Sequence, residues 1–171
     1  MLVLFHVCDA MLVDLLQMTE AMDVSGAGDD DVSRLSYEER AKRATIISKP
    51  MASKKLAKKL MKLIKKAHKE KDHLRSGLKL VQSKIKKSER GLVIIAGSVT
   101  PIDVVCHMPA VCEQNDIPYV FVPTGKELGL AMGVKRCTLI VLIRRHEDFG
   151  KLYDECFEEV KHLPPVVPVE T

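Results

Sequence analysis

The residues best suited to chemistry are Cys106, His107 and Cys112, whose thiol and imidazole groups could coordinate zinc. Cys106 and His107 are adjacent, however, so on a helix their side chains would point about 100° apart. No second pair of ligands follows at the spacing that zinc sites use. We therefore interpret the two cysteines as buried structural thiols, and we expect neither a metal nor a cofactor.

The glycines of the sequence do not form a phosphate-binding motif. Gly125, Gly129 and Gly133 recur at intervals of four, which does not match the pattern G-x-x-x-x-G-K-[ST]. Gly26 and Gly28 lie in an acidic stretch rather than after a strand, so they are not a dinucleotide fingerprint. The histidines are scattered, and none accompanies a Ser or Cys at a strand–turn elbow. The sequence therefore predicts that the protein is not an enzyme.

Charge is distributed unevenly along the 171 residues, although the net charge is only +4. Residues 40–90 carry nineteen Lys or Arg and three Asp or Glu, a net charge of +16. The flanking segments 1–39 and 91–171 carry net charges of −8 and −4. Because each neutralised phosphate releases condensed counterions, such a basic block favours nucleic acid as the partner. The alternative is a solvated helix face, but the excess spans two successive helical patterns with few balancing acids.

Composition excludes several classes of protein. The five cysteines are odd in number and form no CxxC pair, which indicates reduced thiols rather than a disulfide framework. Aromatic residues amount to 4%, which disfavours a stacking platform for single-stranded nucleic acid. The apolar runs are far shorter than the roughly 18 residues that a membrane helix needs. A hydrophobic content of 46% predicts one sizeable core.

The elements that position these residues follow from hydrophobic periodicity. Ser53 suits the N-cap of a basic helix, and Gly77 begins a second basic helix that we expect to end at Gly91. Pro101 suits the first turn of a third helix, whose apolar face is predicted to be Ile102, Val105, Cys106 and Val111. Thr124 with Glu127 matches a capping box. The last two helices are predicted at 124–132 and 147–162.

Three apolar runs predict buried strands, at Leu92–Ala96, Tyr119–Val122 and 137–143. Strands that alternate with helices indicate an α/β class protein with a sheet covered on both faces, a three-layer α/β/α sandwich. We place this single domain at 37–163. Residues 1–36 are predicted to be an acidic, flexible extension, and 164–171 a Pro-rich tail.

Five segments carry a resemblance to a known family. They read IISKPMASKKLAKKLMKLIKKA, RSGLKLVQ, GLVIIAGSVTPIDVVCHMPAVCEQNDIPYVFVP, ELGLAMGVKR and YDECFEEVKHLP. With this order and spacing, residues 37–165 resemble the kink-turn-binding ribosomal-protein family, in particular its eukaryotic H/ACA ribonucleoprotein branch. The run 101–122 is the most specific part. The resemblance implies a single α/β/α domain that binds structured RNA and catalyses nothing.

The resemblance also implies a cellular role. Members of this branch are non-catalytic subunits of nucleolar H/ACA ribonucleoproteins, which direct rRNA pseudouridylation in ribosome biogenesis and in some eukaryotes join telomerase RNA. The implied partners are an H/ACA guide RNA, a small H/ACA core protein and a pseudouridine synthase, with no membrane and no obligate homo-oligomer. Two alternatives remain open. One is a sister role in the ribosome or spliceosome, and the other is a protein-interaction subunit with weak RNA contact.

Carried over by position, the family's RNA surface implies six contact residues in this chain, Gly77, Lys79, Val104, Val134, Lys135 and Arg136. The glycine would allow close backbone approach, the first lysine would supply a polar group, and the valines would make apolar contacts. The Lys-Arg pair would meet phosphate. The structural alternatives are a helix start for the glycine, a core position for the first valine, and a solvated surface for the two cations.

Four positions depart from the family pattern. Leu80 stands where the family often has a Glu that accepts hydrogen bonds from guanine edges, and Ser83 stands where a Lys is usual. Ser98 replaces an acid, and Gly125 replaces a Lys. A leucine cannot accept a hydrogen bond, so this pattern predicts phosphate attraction without tight reading of a kink-turn.

Overall fold

A computed structural model describes residues 36–70 and 72–163 of the chain. The predicted tail lies outside these residues, and so does the predicted extension except for Ser36, which caps the first helix. Within these ranges, no helix is long and apolar enough to cross a membrane.

The described residues form seven α-helices, one 3-10 helix and four strands. In chain order they are α1 (Tyr37–Lys42), α2 (Lys54–Lys69), β1 (Leu74–Ser76), α3 (Leu78–Lys86), β2 (Leu92–Ala96), α4 (Asp103–Cys106), α5 (Met108–Gln114), β3 (Tyr119–Val122), α6 (Gly125–Ala131), β4 (Ile140–Ile143), the 3-10 helix (Glu147–Phe149) and α7 (Gly150–Lys161).

The four strands make one mixed sheet in the order β1–β4–β2–β3. β2 and β3 run parallel, whereas β4 runs antiparallel to both β1 and β2. The carboxyl ends of β1, β2 and β3 therefore meet the amino end of β4 at one end of the sheet. We call this the Gly77 end, after the residue that follows β1.

Helices form two groups around this sheet. α2 lies against α6 and α7, whereas the Gln82 side chain of α3 hydrogen-bonds to His107 between α4 and α5. β2, β3 and β4 are buried along their whole lengths because helices cover the sheet. The predicted three-layer α/β/α architecture is confirmed.

The predicted start of α2 is also confirmed. The Ser53 hydroxyl accepts a hydrogen bond from the Leu56 N–H at 3.2 Å. The apolar face of the helix is buried, as its three- and four-residue spacing predicts, and comprises Leu56, Ala57, Leu60, Leu63, Ile64 and Ala67.

Two predicted boundaries are wrong. α3 ends at Lys86 rather than at Gly91, because the chain turns at Ser88, whose φ is 61°, and the Glu89 N–H donates back to the Lys84 carbonyl. The strand predicted at 137–143 begins only at Ile140. The residues before it bond to loops instead, and the Thr138 N–H, for example, donates to the Gly125 carbonyl at 3.1 Å.

The third predicted helix is divided into α4 and α5, and this division changes which of its apolar residues are buried. Ile102 precedes α4 and is 38% exposed, and Cys106 is exposed, so the predicted apolar face is not buried at these two positions. Val105 and Cys112 are buried as predicted. The predicted final helix begins as the 3-10 helix and continues as α7.

The capping box predicted at Thr124 is not formed within the described chain. Thr124 occupies the N-cap of α6, but its side chain makes no capping hydrogen bond. Glu127, the other member of the motif, pairs with Arg40 of α1 instead. The Arg40–Glu127 ion pair thus replaces the hydrogen bonds of the predicted capping box, and it holds α1 against α6.

Candidate nucleic-acid interface

Backbone hydrogen bonds join three chain segments at the Gly77 end of the sheet. The Gly77 N–H donates to the Ile140 carbonyl at 3.1 Å, which ties the start of α3 to the start of β4. The Ala96 N–H donates to the Leu139 carbonyl at 2.8 Å, which ties the end of β2 to the same loop. Loops fixed to a sheet in this way hold the side chains that they carry in defined positions.

The first turn of α3 is open to a ligand at this end. Gly77 occupies its N-cap with φ of 99°, a conformation that favours glycine. Within residues 36–70 and 72–163, no side chain caps this turn. The free N–H groups of a helix start carry partial positive charge and suit phosphate oxygens or base edges. Lys79, exposed in this first turn, adds a full positive charge.

The loop before β4 carries the other predicted contacts. Val134 is 39% exposed, and Lys135 and Arg136 are exposed beside it. Neither cation has an acidic partner in the described part of the chain, so neither charge is neutralised there. An unpaired Lys-Arg pair beside a glycine turn is better suited to phosphate than to a purely structural role.

Gly129 of α6 allows this loop to close on the helix. A β-carbon at Gly129 would lie 2.1 Å from the Arg136 carbonyl oxygen and 3.1 Å from that of Val134. The Val134 N–H donates to the Gly129 carbonyl at 2.9 Å, which completes the contact. Gly133 makes the turn between them with φ of 73°. These glycines therefore set the position of the loop that carries the cations.

Exposed apolar side chains accompany the cations at the Gly77 end. Leu80 in the first turn of α3 is 43% exposed, and Ile102 after β2 is 38% exposed. Val104, which the resemblance implies as an apolar contact, is half-buried against the core. The sequence pattern missed Ile102, because its periodic position predicted a core residue. The exposed residues could lie against an unstacked base.

A second segment that the sequence did not single out lies at this end. The Thr45 N–H donates to the Gly97 carbonyl at 3.0 Å, which brings the α1–α2 connection onto the loop after β2. Ile46 in this connection is 91% exposed. A β-carbon at Gly97 would lie 3.0 Å from the Ala44 side chain and 3.2 Å from the Val122 carbonyl oxygen, so the glycine allows the two segments to lie close together.

The pKa values of two side chains, His107 and Tyr37, are shifted by burial. Burial lowers the pKa of His107, and a hydrogen bond that its ring donates to the Asp103 backbone carbonyl opposes this only in part. Its imidazole therefore stays neutral at pH 7 beside α3. Burial also raises the pKa of Tyr37 to about 12, with Glu127 adding to the rise and Arg40 opposing it. Its phenol stays protonated and donates to the Ala52 carbonyl at 2.6 Å.

The cysteine and histidine group at Cys106, His107 and Cys112 is not a metal site in this geometry. Within the residues described, no group of three or more His, Cys, Asp or Glu could hold a metal ion. Cys112 is buried, and burial raises the pKa of its thiol to about 12. Cys106 is exposed instead, and its thiol donates to the Asp103 carbonyl at 3.3 Å.

Comparison with known proteins gives the family. The model of the "Ribosomal protein L7Ae/L30e/S12e/Gadd45 family" matches residues 58–153, more than half of the 171 residues. This chain belongs to that family. The matched range runs from α2 into α7, so it contains the whole sheet and the six predicted contact residues. The resemblance drawn from the sequence segments is confirmed.

Relatives from two animals are similar over most of their length. "H/ACA ribonucleoprotein complex subunit 2" of Drosophila melanogaster is 48% identical over 151 residues, which is 86% of this chain and 94% of that protein. The Bos taurus protein of the same name is 45% identical over 130 residues, 76% of this chain and 84% of that protein.

A solved structure shares the fold. The Giardia lamblia 15.5kD RNA binding protein matches with a TM-score of 0.66 and 28% sequence identity, over 70% of this chain and 99% of that chain. The α/β fold described above is thus shared with a protein that is named as RNA binding. The roles of the six contact residues stay a prediction.

Removal of the two loop cations tests the interface. Replacing Lys135 and Arg136 together by Ala should weaken binding to all structured RNAs, because phosphate contacts carry no sequence information. The slope of log affinity against log salt should flatten by up to roughly two units, about 0.9 for each lost contact. Thermal unfolding should hardly change, since exposed charges contribute little to stability. An unchanged slope would make these cations a solvated surface only.

Proposed function

We propose that this chain is the RNA-binding, non-catalytic subunit of an H/ACA small nucleolar ribonucleoprotein. In this role it acts in the nucleolus in guide-RNA-directed rRNA pseudouridylation and ribosome biogenesis, and with telomerase RNA in eukaryotes where that RNA uses the same proteins. The names of the relatives support the assignment. The chemistry is left to a pseudouridine synthase, and this chain holds the RNA.

The observation that carries the proposal is the composition of the Gly77 end. An uncapped helix start, the exposed Lys79, and the unpaired Lys135 and Arg136 are combined there with exposed apolar side chains. Such a surface suits the phosphates and the unstacked bases of a bent RNA. It contains donors and cations, which do not make an acid–base pair for catalysis.

Leu80 sets the kind of RNA recognition that we propose. It is exposed at the place where the family often has a base-reading acid, so this position offers apolar contact only. Recognition then depends on phosphate positions and on RNA shape more than on base edges. A subunit of this kind needs neighbouring proteins to place it on the correct RNA.

A cavity at the opposite end of the sheet suits a protein neighbour. Its volume is about 450 Å³, and Arg90, Asp116, Tyr153 and Phe157 are among the residues that line it. Arg145 donates to both carboxylate oxygens of Asp154, at 2.9 and 2.7 Å, beside this cavity. Aromatic residues and arginine, both present in this lining, are enriched in protein contacts. We propose this cavity as the contact for the small H/ACA core protein.

Reconstitution with the small core protein tests the assembly. We expect the isolated chain to be monomeric and to form a stable one-to-one complex whose RNA affinity exceeds that of the chain alone. Arg90→Glu should weaken this complex by about tenfold or more, because reversing a charge within a contact adds repulsion. Lys42→Glu, which changes an exposed charge on α1, should leave it intact. A homodimer, or a partner that leaves mass and RNA affinity unchanged, would overturn the model.

A sister role in the ribosome or spliceosome is the second candidate. The description of the family names ribosomal proteins, and the structural neighbour is named only as an RNA binding protein, so the shared fold is compatible with this role as well. Tight kink-turn recognition would distinguish this role from the H/ACA role. The exposed Leu80 speaks against such recognition, because a leucine cannot accept a hydrogen bond from a guanine edge.

A further inference from the structure

One face of α2 is a continuous array of lysines. The helix has 16 residues, so it is about 24 Å long. Seven exposed lysines cover the side that faces away from the core, namely Lys54, Lys55, Lys58, Lys62, Lys65, Lys66 and Lys69. At 100° per residue they fall within about 120° of the helix circumference. We call this array the lysine face.

No acidic side chain of α2 neutralises the charges of the lysine face. No acidic residue occurs between Lys54 and Lys69. Within the described ranges, none of the seven lysines has a carboxylate partner. The eighth lysine of the helix, Lys59, lies at the edge of the face and pairs with Glu155 and Glu159 of α7. The acids of α7 therefore bind the lysine nearest to them and leave the outward charges open.

These charges do not serve the fold. Like charges three or four residues apart on a helix repel each other and destabilise it, and Lys58, Lys62 and Lys65 are spaced in this way. The buried face and the Ser53 cap supply the stability of α2. An external polyanion would relieve the repulsion, and condensed counterions released from it would favour binding.

The lysine face begins at the Gly77 end and extends away from it along α2. α2 packs with α6 and α7, whereas the first turn of α3 belongs to the other group of helices. The chain enters α2 beside the carboxyl end of β3, where the Ala52 N–H donates to the Phe121 carbonyl at 2.8 Å. It leaves at the other end of the sheet, where the Arg144 N–H donates to the His73 carbonyl at 2.8 Å. The face thus spans the height of the sheet.

We propose that the lysine face is a second RNA-binding surface, which holds the phosphate backbone of a duplex segment while the Gly77 end holds a bent one. This inference rests on the proposed RNA-binding function and extends it to two simultaneous contacts. Lysines supply point charges without the planar fork that reads guanine, so the contact is independent of sequence. A rod of charge about 24 Å long matches the regular phosphates of double-stranded RNA better than a flexible single strand.

Two triple variants, each of which removes three positive charges, test whether duplex RNA binds at the lysine face. In K58Q/K62Q/K69Q, affinity for a plain RNA duplex should fall by about tenfold or more, and the salt slope should flatten by roughly two to three units. The matched control K86Q/K87Q/K161Q removes the same charge from exposed positions elsewhere. It should change both quantities much less. Equal effects in the two variants would show only the influence of net charge and would overturn the proposal.

Simultaneous occupancy is tested by a second measurement. The wild-type chain is saturated with a short bulged hairpin, and a labelled blunt duplex is then added. A ternary complex is expected with wild type, and K58Q/K62Q/K69Q should retain the hairpin but lose the duplex. Simple competition between the two RNAs would overturn the proposal, as would a K58Q/K62Q/K69Q variant that fails only in binding a protein partner.

Failure of this inference can be told apart from failure of the proposed function. If the wild-type chain binds no structured RNA, the proposed function itself is wrong. If it binds RNA through Lys135 and Arg136 but K58Q/K62Q/K69Q binds duplex as well as its matched control, only the second surface is wrong. Circular dichroism of α2 variants checks folding, since Gln is a good helix former.

Discussion

RNA affinity should fall by about a hundredfold or more when salt is raised from about 50 to 200 mM, which is the effect of roughly four phosphate contacts. Lys79, Lys135 and Arg136 at the Gly77 end, with the lysine face of α2, supply more than enough cations for four contacts. The measurement is a titration of a kink-turn hairpin and of a plain duplex hairpin at both salt concentrations. Both affinities should fall together, because the shared phosphates dominate binding.

The same titration measures specificity. We expect the kink-turn to be preferred by no more than about tenfold, since one bidentate base contact is worth about 1–3 kcal/mol and Leu80 cannot make one. Leu80→Glu should raise the preference, and Leu80→Gln serves as the uncharged comparison. A wild-type preference well above tenfold that persists at high salt would show that another group reads the bases.

Gly129→Ala should destabilise the fold by about 3 kcal/mol or more and displace the cation-bearing loop. A β-carbon there would lie 2.1 Å from the Arg136 carbonyl oxygen, which is backbone and cannot rotate away. Overpacking that forces backbone shifts typically costs about 1–3 kcal/mol, and this contact is closer than most. Chemical denaturation gives the free energy of unfolding, and the RNA affinity of the folded fraction reports the displacement of Lys135 and Arg136.

Gly150→Ala is the matched control for this substitution. Gly150 begins α7 with φ of −54°, and a β-carbon there would meet no described heavy atom within 4 Å. Alanine reduces the entropy of the unfolded chain at such a site, so stability should rise by about 0.4–1 kcal/mol. Equal losses in the two variants would mean that the close approach at Gly129 does not decide the outcome, because alanine favours a helix at both positions.

The elements with strong local signals could be predicted from the sequence. Ser53 and the periodic leucines define α2 without help from the rest of the chain. Leu92–Ala96 and Tyr119–Val122 have the exact bounds expected of buried strands, because their runs are wholly apolar. In such segments the local pattern and the tertiary environment agree.

Elements that depend on distant partners could not be predicted. β1 has only three residues, Leu74–Ser76, and it is a strand because it pairs with β4 in the register Arg75 to Leu142. Glu127 fits a local capping box, but Arg40, 87 positions away, binds it instead. The geometry of the candidate interface could not be predicted for the same reason. Its residue types were visible, whereas the antiparallel β1–β4 pairing that brings Gly77 to the loop before β4 was not.

Recovery of RNA crosslinked to the full-length chain in cells tests the central claim most directly. The proposed function predicts that H/ACA guide RNAs are the main species recovered, and that the K135A/R136A variant recovers fewer of them at equal protein level. Thermal unfolding of that variant checks that its fold is intact. Recovery dominated by ribosomal or spliceosomal RNA, or no RNA above background, would contradict the claim that this chain is an H/ACA subunit that binds RNA at the Gly77 end.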